Sequence, residues 1–96
     1  MMGELAYHFL CDDYTSSYGN EPPWTVGETR TIEGTIALCE RGYHASRSWY
    51  DALSYCQGHI ACIVELSGDI VRDTDKMVAS TRKLIAARNV ERELRL

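Results

Sequence analysis

Apolar residues recur at every second position in several short segments of the chain, and this pattern predicts β-strands. In the first of them, Tyr7 and Phe9 face one side, and His8 and Leu10 face the other. Residues 60–66 are almost entirely apolar, which is typical of a strand that is buried on both faces. The predicted strands are residues 6–10, 29–32, 35–39, 43–45 and 60–66.

A different spacing predicts one helix in the middle of the chain. Four apolar residues recur at helical intervals and so share one helix face: Trp49, Ala52, Leu53 and Cys56. Ser48 is suited to cap the N-terminus, with Asp51 three residues later, and Gly58 is suited to end the helix. We therefore expect a helix over residues 48–57. The residues that it is expected to bury are Trp49, Leu53 and Cys56.

After a predicted turn at residues 68–69 and a brief edge strand at 70–71, the composition becomes typical of helices. From Asp75 onward the chain is rich in lysine, arginine, alanine, leucine and glutamate, and Asn89 is suited to cap a last short helix. The elements together predict a single α+β domain over residues 1–96. We expect a small, mostly antiparallel sheet with one central helix and a helical C-terminal tail.

Residues 12–27 form the longest segment without a strand or helix pattern. A loop of this length in a small domain is either functional or packed on itself. Its aromatic side chains could supply contact area for a partner protein at low entropic cost. The alternative is that the loop folds back and buries Trp24 with a tyrosine in a satellite core. The candidate partner-binding residues are Asp12, Asp13, Tyr14, Tyr18, Glu21 and Trp24.

Charge is distributed unevenly along the chain. Residues 1–71 contain ten acidic and three basic residues, a balance of −7, whereas residues 72–96 contain four acidic and seven basic residues, a balance of +3. Nucleic-acid binding needs clustered lysine and arginine, so the acidic body argues against it as the main task. The charge is compatible with docking onto a basic surface of a host protein or nucleoprotein complex. The alternative is a solvated acidic face that maintains solubility.

The absence of targeting features predicts a cytoplasmic protein. No apolar run approaches the roughly 20 residues that a membrane helix needs, and we expect no membrane partner. The N-terminus lacks the basic start and the long apolar stretch of a secretory signal. The four cysteines are therefore expected to stay reduced.

Two cysteine–histidine pairs could supply four zinc ligands: Cys39, His44, Cys56 and His59. Their spacing lacks the Cys-x2-Cys knuckle that is specific for zinc, and Cys56 belongs to the predicted helix face. A catalytic cysteine is not expected either, since the carboxylate of Glu40 beside Cys39 disfavours a reactive thiolate. We expect no metal and no cofactor.

The order of His8 on the first strand, Tyr43 in the middle and Glu65 on the buried strand resembles that of diphtheria-toxin-like ADP-ribosyltransferases. Tyr50 is a second candidate for the tyrosine. In that family the histidine holds the ribose of NAD, the tyrosine stacks on nicotinamide and the glutamate stabilises the developing oxocarbenium charge. The Gly-Thr expected after the histidine is Phe-Leu here. The resemblance implies an alternative function, an NAD- or nucleotide-binding protein that uses His8, Tyr43 and Glu65.

Longer phrases of the sequence resemble an uncharacterised domain family of phage, prophage and bacterial genomes. They lie at residues 19–28, 41–46, 51–53 and 75–79, and the Pro-Pro-Trp and Gly-Tyr-His segments are the most specific parts. Small, acidic, single-domain proteins from mobile elements are often inhibitors of host defence, anti-CRISPR proteins among them. The resemblance therefore implies a non-enzymatic anti-defence inhibitor, of phage or mobile-element origin, that docks on a host protein or nucleoprotein complex.

Overall fold

The computed structural model describes residues 3–16, 21–38, 41–56 and 58–94, which contain five strands and two short helices. The strands are β1 (Glu4–Leu10), β2 (Thr29–Thr31), β3 (Tyr43–Ala45), β4 (Ile60–Arg72) and β5 (Met77–Asn89). The helices are α1 (Trp49–Leu53), between β3 and β4, and α2 (Glu91–Leu94), after β5.

All strand pairs are antiparallel, and β1, β4, β5 and β2 are neighbours in that order. β3 also pairs with β5, along the same edge as β2. Just after β3, Ser46 exchanges two backbone hydrogen bonds of 2.8 Å with Tyr7 on β1. This bridge joins β1, at one edge of the sheet, to the end of β3, at the opposite edge. The sheet is therefore curved and has a concave inner face and a convex outer face.

The inner face carries the hydrophobic core. Every second side chain of β4 from Ile60 to Leu66 is buried, which is the alternation expected of a strand with one face in the core. The strand predicted at residues 60–66 is thus confirmed, although only its inner face is fully buried. The core residues are Ala6, Leu10, Trp24, Ala45, Ile60, Cys62, Val64, Leu66, Met77, Ala79 and Leu84.

The predicted helical tail is wrong, because residues 77–89 form β5. This strand pairs with β4 along one edge and with β3 and β2 along the other, so both of its backbone edges find partners. Helix propensity differs among ordinary residues by no more than about 0.7 kcal/mol each, and the burial of Met77 and Leu84 in the paired strand outweighs it. The final helix α2 has four residues, and Asn89 Oδ1 accepts a hydrogen bond from the Glu91 N–H, as predicted.

The predicted central helix differs in length and in burial. Ser48 caps α1 as expected, since its Oγ accepts a hydrogen bond of 3.1 Å from the Asp51 N–H. The helix has only five residues, however, and Ala52 is its buried residue. Trp49 is 39% exposed and Leu53 is 43% exposed, so only the small side chain of Ala52 is buried on this apolar face.

The expected fold class, with one central helix and a helical tail, is therefore wrong. Over the described residues the protein is a curved antiparallel sheet with two short helices. α1 packs on the outer face, where the ring of Trp49 lies 4.6 Å from that of Tyr7 and 5.7 Å from that of Phe9, measured between centroids. Trp49 and Leu53 stay about two-fifths exposed because the main hydrophobic core lies on the other side of the sheet.

Two further segments differ from expectation. The predicted turn at residues 68–69 is a bulge within β4, where the pairing with β5 shifts and Gly68 adopts a φ of +74°. Among the described residues, the strand predicted at 35–39 is reduced to a single bridge between Ala37 and Arg41. The ends predicted for that strand and for the central helix, Cys39 and Gln57, lie outside the described residues.

Candidate functional site

The three residues of the alternative NAD site do not come together. His8 lies on β1 opposite Cys62, on the inner face, and Tyr43 packs against the same core. Glu65 follows Cys62 by three positions on β4 and therefore lies on the outer face, opposite Leu5. A carboxylate that stabilises a reaction centre beside His8 has to lie on the same face of the sheet as His8. The arrangement therefore does not support the ADP-ribosyltransferase alternative.

His8 behaves as a core side chain. Its Nε2 is buried and has no hydrogen-bond partner among the described residues. Burial holds the pKa of His8 well below its usual 6.5, and the nearby charges of Arg82 and His44 lower it further. The imidazole is therefore neutral at physiological pH.

Arg82 is a buried cation on the inner face, with 3% of its surface exposed. One Nη atom donates a hydrogen bond of 2.7 Å to the carbonyl oxygen of His44. The guanidinium carbon lies 4.6 Å from the ring centroid of Trp24 and 5.2 Å from that of Tyr43. Burial lowers the pKa of Arg82 to about 10, while the carboxylate of Glu21 opposes this shift. The aromatic faces replace part of the hydration that the cation loses.

The candidate binding loop folds back onto the sheet. Trp24 is only 3% exposed, and its indole Nε1 donates a hydrogen bond of 3.0 Å to Glu21 Oε1. Arg30 on β2 ties the same segment down through hydrogen bonds to the carbonyl oxygens of Pro22 and Pro23. Tyr14 packs against the core. The loop therefore adopts the second of the two expected arrangements, with Trp24 and a tyrosine packed inside.

Two acidic residues of the same loop remain at the surface. The side chain of Asp12 is 54% exposed, and Asp13 is exposed and accepts hydrogen bonds from Thr15. These hydrogen bonds lower the pKa of the Asp13 carboxyl. Tyr18 lies outside the described residues. The predicted set is therefore divided, with Asp12 and Asp13 outside and Tyr14, Glu21 and Trp24 turned towards the protein.

The outer face contains an apolar groove that the sequence did not reveal. It has a volume of about 450 Å³ and lies between α1 and α2, over the outer side of β1, β4 and β5. The residues that line it are Phe9, Trp49, Leu53, Ala61, Ile63, Ala86, Ala87, Arg88, Val90, Glu93 and Leu94. The one signal was the apolar spacing of Trp49 and Leu53, which predicts burial equally well in a core and in a groove.

Further large apolar side chains are exposed on the elements that form this groove. Trp49, Leu53 and Leu94 line the groove and are each about two-fifths exposed. Tyr50, the second candidate tyrosine, is 82% exposed on α1, and Leu5 is 60% exposed on the outer side of β1. We call the groove together with Leu5 and Tyr50 the groove face.

A polar cluster lies at the α2 end of the groove. Asp12 Oδ1 accepts a hydrogen bond of 2.7 Å from the His59 N–H and lies 3.0 Å from His59 Nδ1. Glu91 Oε1 lies 3.9 Å from the same Nδ1. The contacts with His59 lower the pKa of the Asp12 carboxyl. Since Glu91 directly follows Val90, which lines the groove, the cluster and the groove are adjacent.

The cysteine–histidine ligand set considered above is not assembled among the described residues. Cys39 is outside them, and His44 and Cys56 do not join His59 in a three-ligand cluster there. The Cys56 thiol instead donates to the carbonyl oxygen of Gly58 at 2.8 Å. His59 contacts Asp12 and Glu91, a combination that sequence spacing gave no reason to expect.

These features define a small, curved antiparallel-sheet domain with a half-exposed apolar groove on its outer face. The chain belongs to the family described as Domain of unknown function (DUF7666), whose family model matches residues 5–95. Membership of an uncharacterised family is thus confirmed, while the phage or prophage origin and the quoted sequence phrases as marks of the family stay predictions. No curated protein and no solved structure matches the chain. Within the described ranges, no helix combines the length and the apolar character that crossing a membrane requires.

Proposed function

We propose that this protein is a non-enzymatic binding protein that docks through its groove face onto a partner protein. The partner surface presents an apolar side chain flanked by lysine or arginine. The observation that carries the proposal is the apolar groove between α1 and α2, with Trp49, Leu53 and Leu94 half exposed around it.

The composition of the groove face supports protein docking. Aromatic and aliphatic side chains that stand together at a surface are the usual anchors of protein interfaces. The two charged residues of the groove, Arg88 and Glu93, neutralise each other through an ion pair of 3.2 Å. Burying the groove under a partner therefore costs little in unpaired charge, and Tyr50, which follows Trp49 on α1, adds a further exposed ring.

The charge of the chain supports a basic partner. Residues 1–71 carry a balance of −7, and one of their three basic residues, Arg30, is occupied internally by Glu28 and Glu21. Asp12 and Asp13 remain exposed near the α2 end of the groove. An excess of exposed carboxylates attracts a basic surface and speeds encounter.

The biological form that we propose is an inhibitor of host defence, encoded by a phage or mobile element, that covers a basic site on a host protein or nucleoprotein complex. Its support is the acidic balance of the chain together with an apolar docking face, a combination suited to blocking a site that otherwise binds an anionic partner. The proposal places the protein in the cytoplasm of the host cell and assigns it no cofactor.

Site-specific photo-cross-linking in the host cell tests this proposal. A photoreactive residue at Leu53 should give a discrete adduct, which disappears when Leu94→Asp is added. The same residue at Val26 is the matched control, since Val26 is 53% exposed but does not line the groove. Adducts from Val26 and none from Leu53 would contradict the proposal. An adduct with a second copy of the chain would show that the groove face binds another copy of this protein instead of a host protein.

Incubation with labelled NAD distinguishes the docking proposal from the alternative, an NAD-binding or ADP-ribosyltransferase function. The proposal predicts neither binding nor consumption of NAD. Transfer of ADP-ribose that is lost in Glu65→Gln would establish the transferase function instead.

A further inference from the structure

Three potential metal ligands from distant parts of the chain meet at the surface. Asp12 follows β1, His59 precedes β4, and Glu91 begins α2. One ligand atom from each lies within 4.8 Å of the other two. The side chains of His59, Asp12 and Glu91 are 42%, 54% and 37% exposed, so an ion could reach them directly from solvent.

The distances from His59 Nδ1 to the two carboxylates are close to those between ligands around one small cation. Bonds of about 2.1 Å from a metal to nitrogen and oxygen place neighbouring ligand atoms about 3.0 Å apart in an octahedron and about 3.4 Å apart in a tetrahedron. His59 Nδ1 lies 3.0 Å from both carboxylate oxygens of Asp12 and 3.9 Å from Glu91 Oε1. The distance from His59 Nδ1 to Glu91 Oε1 therefore has to shorten by less than 1 Å, and the ligand oxygens of Asp12 and Glu91 already lie within 4.8 Å of each other.

The chemistry of the three ligands selects a class of ion. Magnesium and calcium prefer ligands that are all oxygen, whereas an imidazole nitrogen favours first-row transition metals. Two carboxylates balance the two positive charges of such an ion when His59 is neutral. Water can fill the remaining positions because the cluster is open to solvent.

The backbone holds the three residues together without the ion. The His59 N–H donates to Asp12 Oδ1 at 2.7 Å, and the Val90 N–H donates to the His59 carbonyl oxygen at 2.8 Å. The second bond places Glu91, the next residue, beside His59. Little reorganisation is needed for binding, which favours affinity.

We propose that Asp12, His59 and Glu91 form a binding site for one divalent transition-metal ion, zinc or a close neighbour. This differs from the sequence expectation of no metal, which considered the cysteines. The site does not depend on partner docking, because it lies beside the groove and uses none of the groove-lining residues. A bound ion ties α2 to the start of β4 and to the segment after β1, and so stabilises the folded chain.

The test is a calorimetric titration of zinc chloride into the purified, chelator-treated protein. We expect one ion per chain, a higher melting temperature with zinc, and reversal by EDTA. Asp12→Asn, His59→Gln and Glu91→Gln should each weaken binding at least about tenfold. Asn at position 12 can still accept the His59 N–H, so the loop geometry is retained. The matched controls are Asp13→Asn and Glu93→Gln, which should bind zinc as the parent does.

Two results would overturn the proposal. One is zinc affinity that is unchanged in all three ligand variants, or that falls equally in the two controls. The other is binding that is lost in a Cys11→Ser, Cys56→Ser variant, since both thiols are free and half buried. Substitution with cobalt(II) gives an independent readout, because a thiolate ligand adds a charge-transfer band that nitrogen and oxygen ligands lack. The melting transition of each variant without metal confirms that it is folded.

Discussion

Arg30 on β2 and Arg82 on β5 lie directly opposite each other in the antiparallel pair, and both guanidinium groups contact the ring of Trp24. Their guanidinium carbons are 4.2 and 4.6 Å from the ring centroid. Like charges at directly opposed positions normally destabilise a sheet. Here the electron-rich ring attracts both cations, and Glu28 forms an ion pair of 2.7 Å with Arg30. The contacts of the two arginines with Trp24 therefore have two effects. They hold the segment around Trp24 against the sheet, and they offset the repulsion between the two positive charges.

Trp24→Ala is expected to lower the free energy of unfolding by about 3–5 kcal/mol, a large part of the stability of a small domain. It removes a buried ring and leaves Arg30 and Arg82 without their shared aromatic partner. Trp24→Phe keeps an aromatic face but loses the hydrogen bond to Glu21, so it should cost less. Urea unfolding measures both. Equal stability of Trp24→Ala and the parent protein would show that the loop is not anchored in this way.

The different burial of two leucines gives a paired prediction. Leu66 is fully buried in the core, whereas Leu53 is 43% exposed beside the groove. Leu66→Ala should cost about 2–5 kcal/mol, because it leaves a cavity, and Leu53→Ala should cost less than about 1 kcal/mol. Thermal or urea unfolding of the two variants checks this. The opposite ranking would place α1 in the core, as the sequence pattern predicted.

Stability should depend on pH through His8. The pKa of His8 is well below 6.5 in the folded protein because of burial, and near 6.5 in the unfolded chain. Below pH 6.5 the unfolded chain therefore takes up a proton that the folded protein does not. The free energy of unfolding should fall as the pH drops from 6.5, by at most about 1.4 kcal/mol per pH unit for this one proton. His44, whose pKa is also lowered by burial, acts in the same direction.

Urea unfolding of the parent protein and of His8→Gln between pH 7.5 and 5.5 isolates the contribution of His8. The substitution can change the stability at every pH, so only the slopes against pH are compared, and the slope of the variant should be the smaller one. Identical slopes would mean that the pKa of His8 is the same in the folded protein and in the unfolded chain.

Salt should slow association with a basic partner. The Debye length is about 8 Å at physiological ionic strength and shorter above it, so steering by exposed carboxylates weakens as salt rises. Asp13→Lys should lower the association rate and leave the dissociation rate nearly unchanged, since Asp13 lies outside the apolar groove. Surface plasmon resonance with the purified partner, once cross-linking has identified it, measures both rates. A rate of association that does not change with salt would remove the electrostatic part of the proposal.

The sequence predicts those elements whose signals lie in their own residues. β1 carries an alternating apolar pattern, β4 begins with a short apolar run, and Ser48 caps α1 with its own side chain. β5 could not be predicted in this way, because its lysine, arginine and alanine residues favour helix locally. Its strand state depends on backbone pairing with β4 on one side and with β2 and β3 on the other, which the local sequence does not encode.

The candidate sites depend on the same long-range pairing. Asp12 and His59 are 47 positions apart, and they meet only because β1 pairs with β4. The groove exists because α1 ends at Leu53 and α2 begins after β5, so that neither helix covers the middle of the outer face. Apolar spacing could identify Leu53 as a residue that seeks burial, but not whether the chain itself or a partner supplies it.

Docking through the groove is tested most directly by calorimetry. The measurement compares the affinities of two matched variants for the partner that was identified by cross-linking. Leu53→Asp places a charge in the apolar groove, whereas Val26→Asp places the same charge at an exposed apolar position that does not line the groove. Docking through the groove predicts that Leu53→Asp weakens binding at least about 30-fold, or ~2 kcal/mol, while Val26→Asp binds as the parent does. Unchanged binding by a folded Leu53→Asp variant would contradict the account.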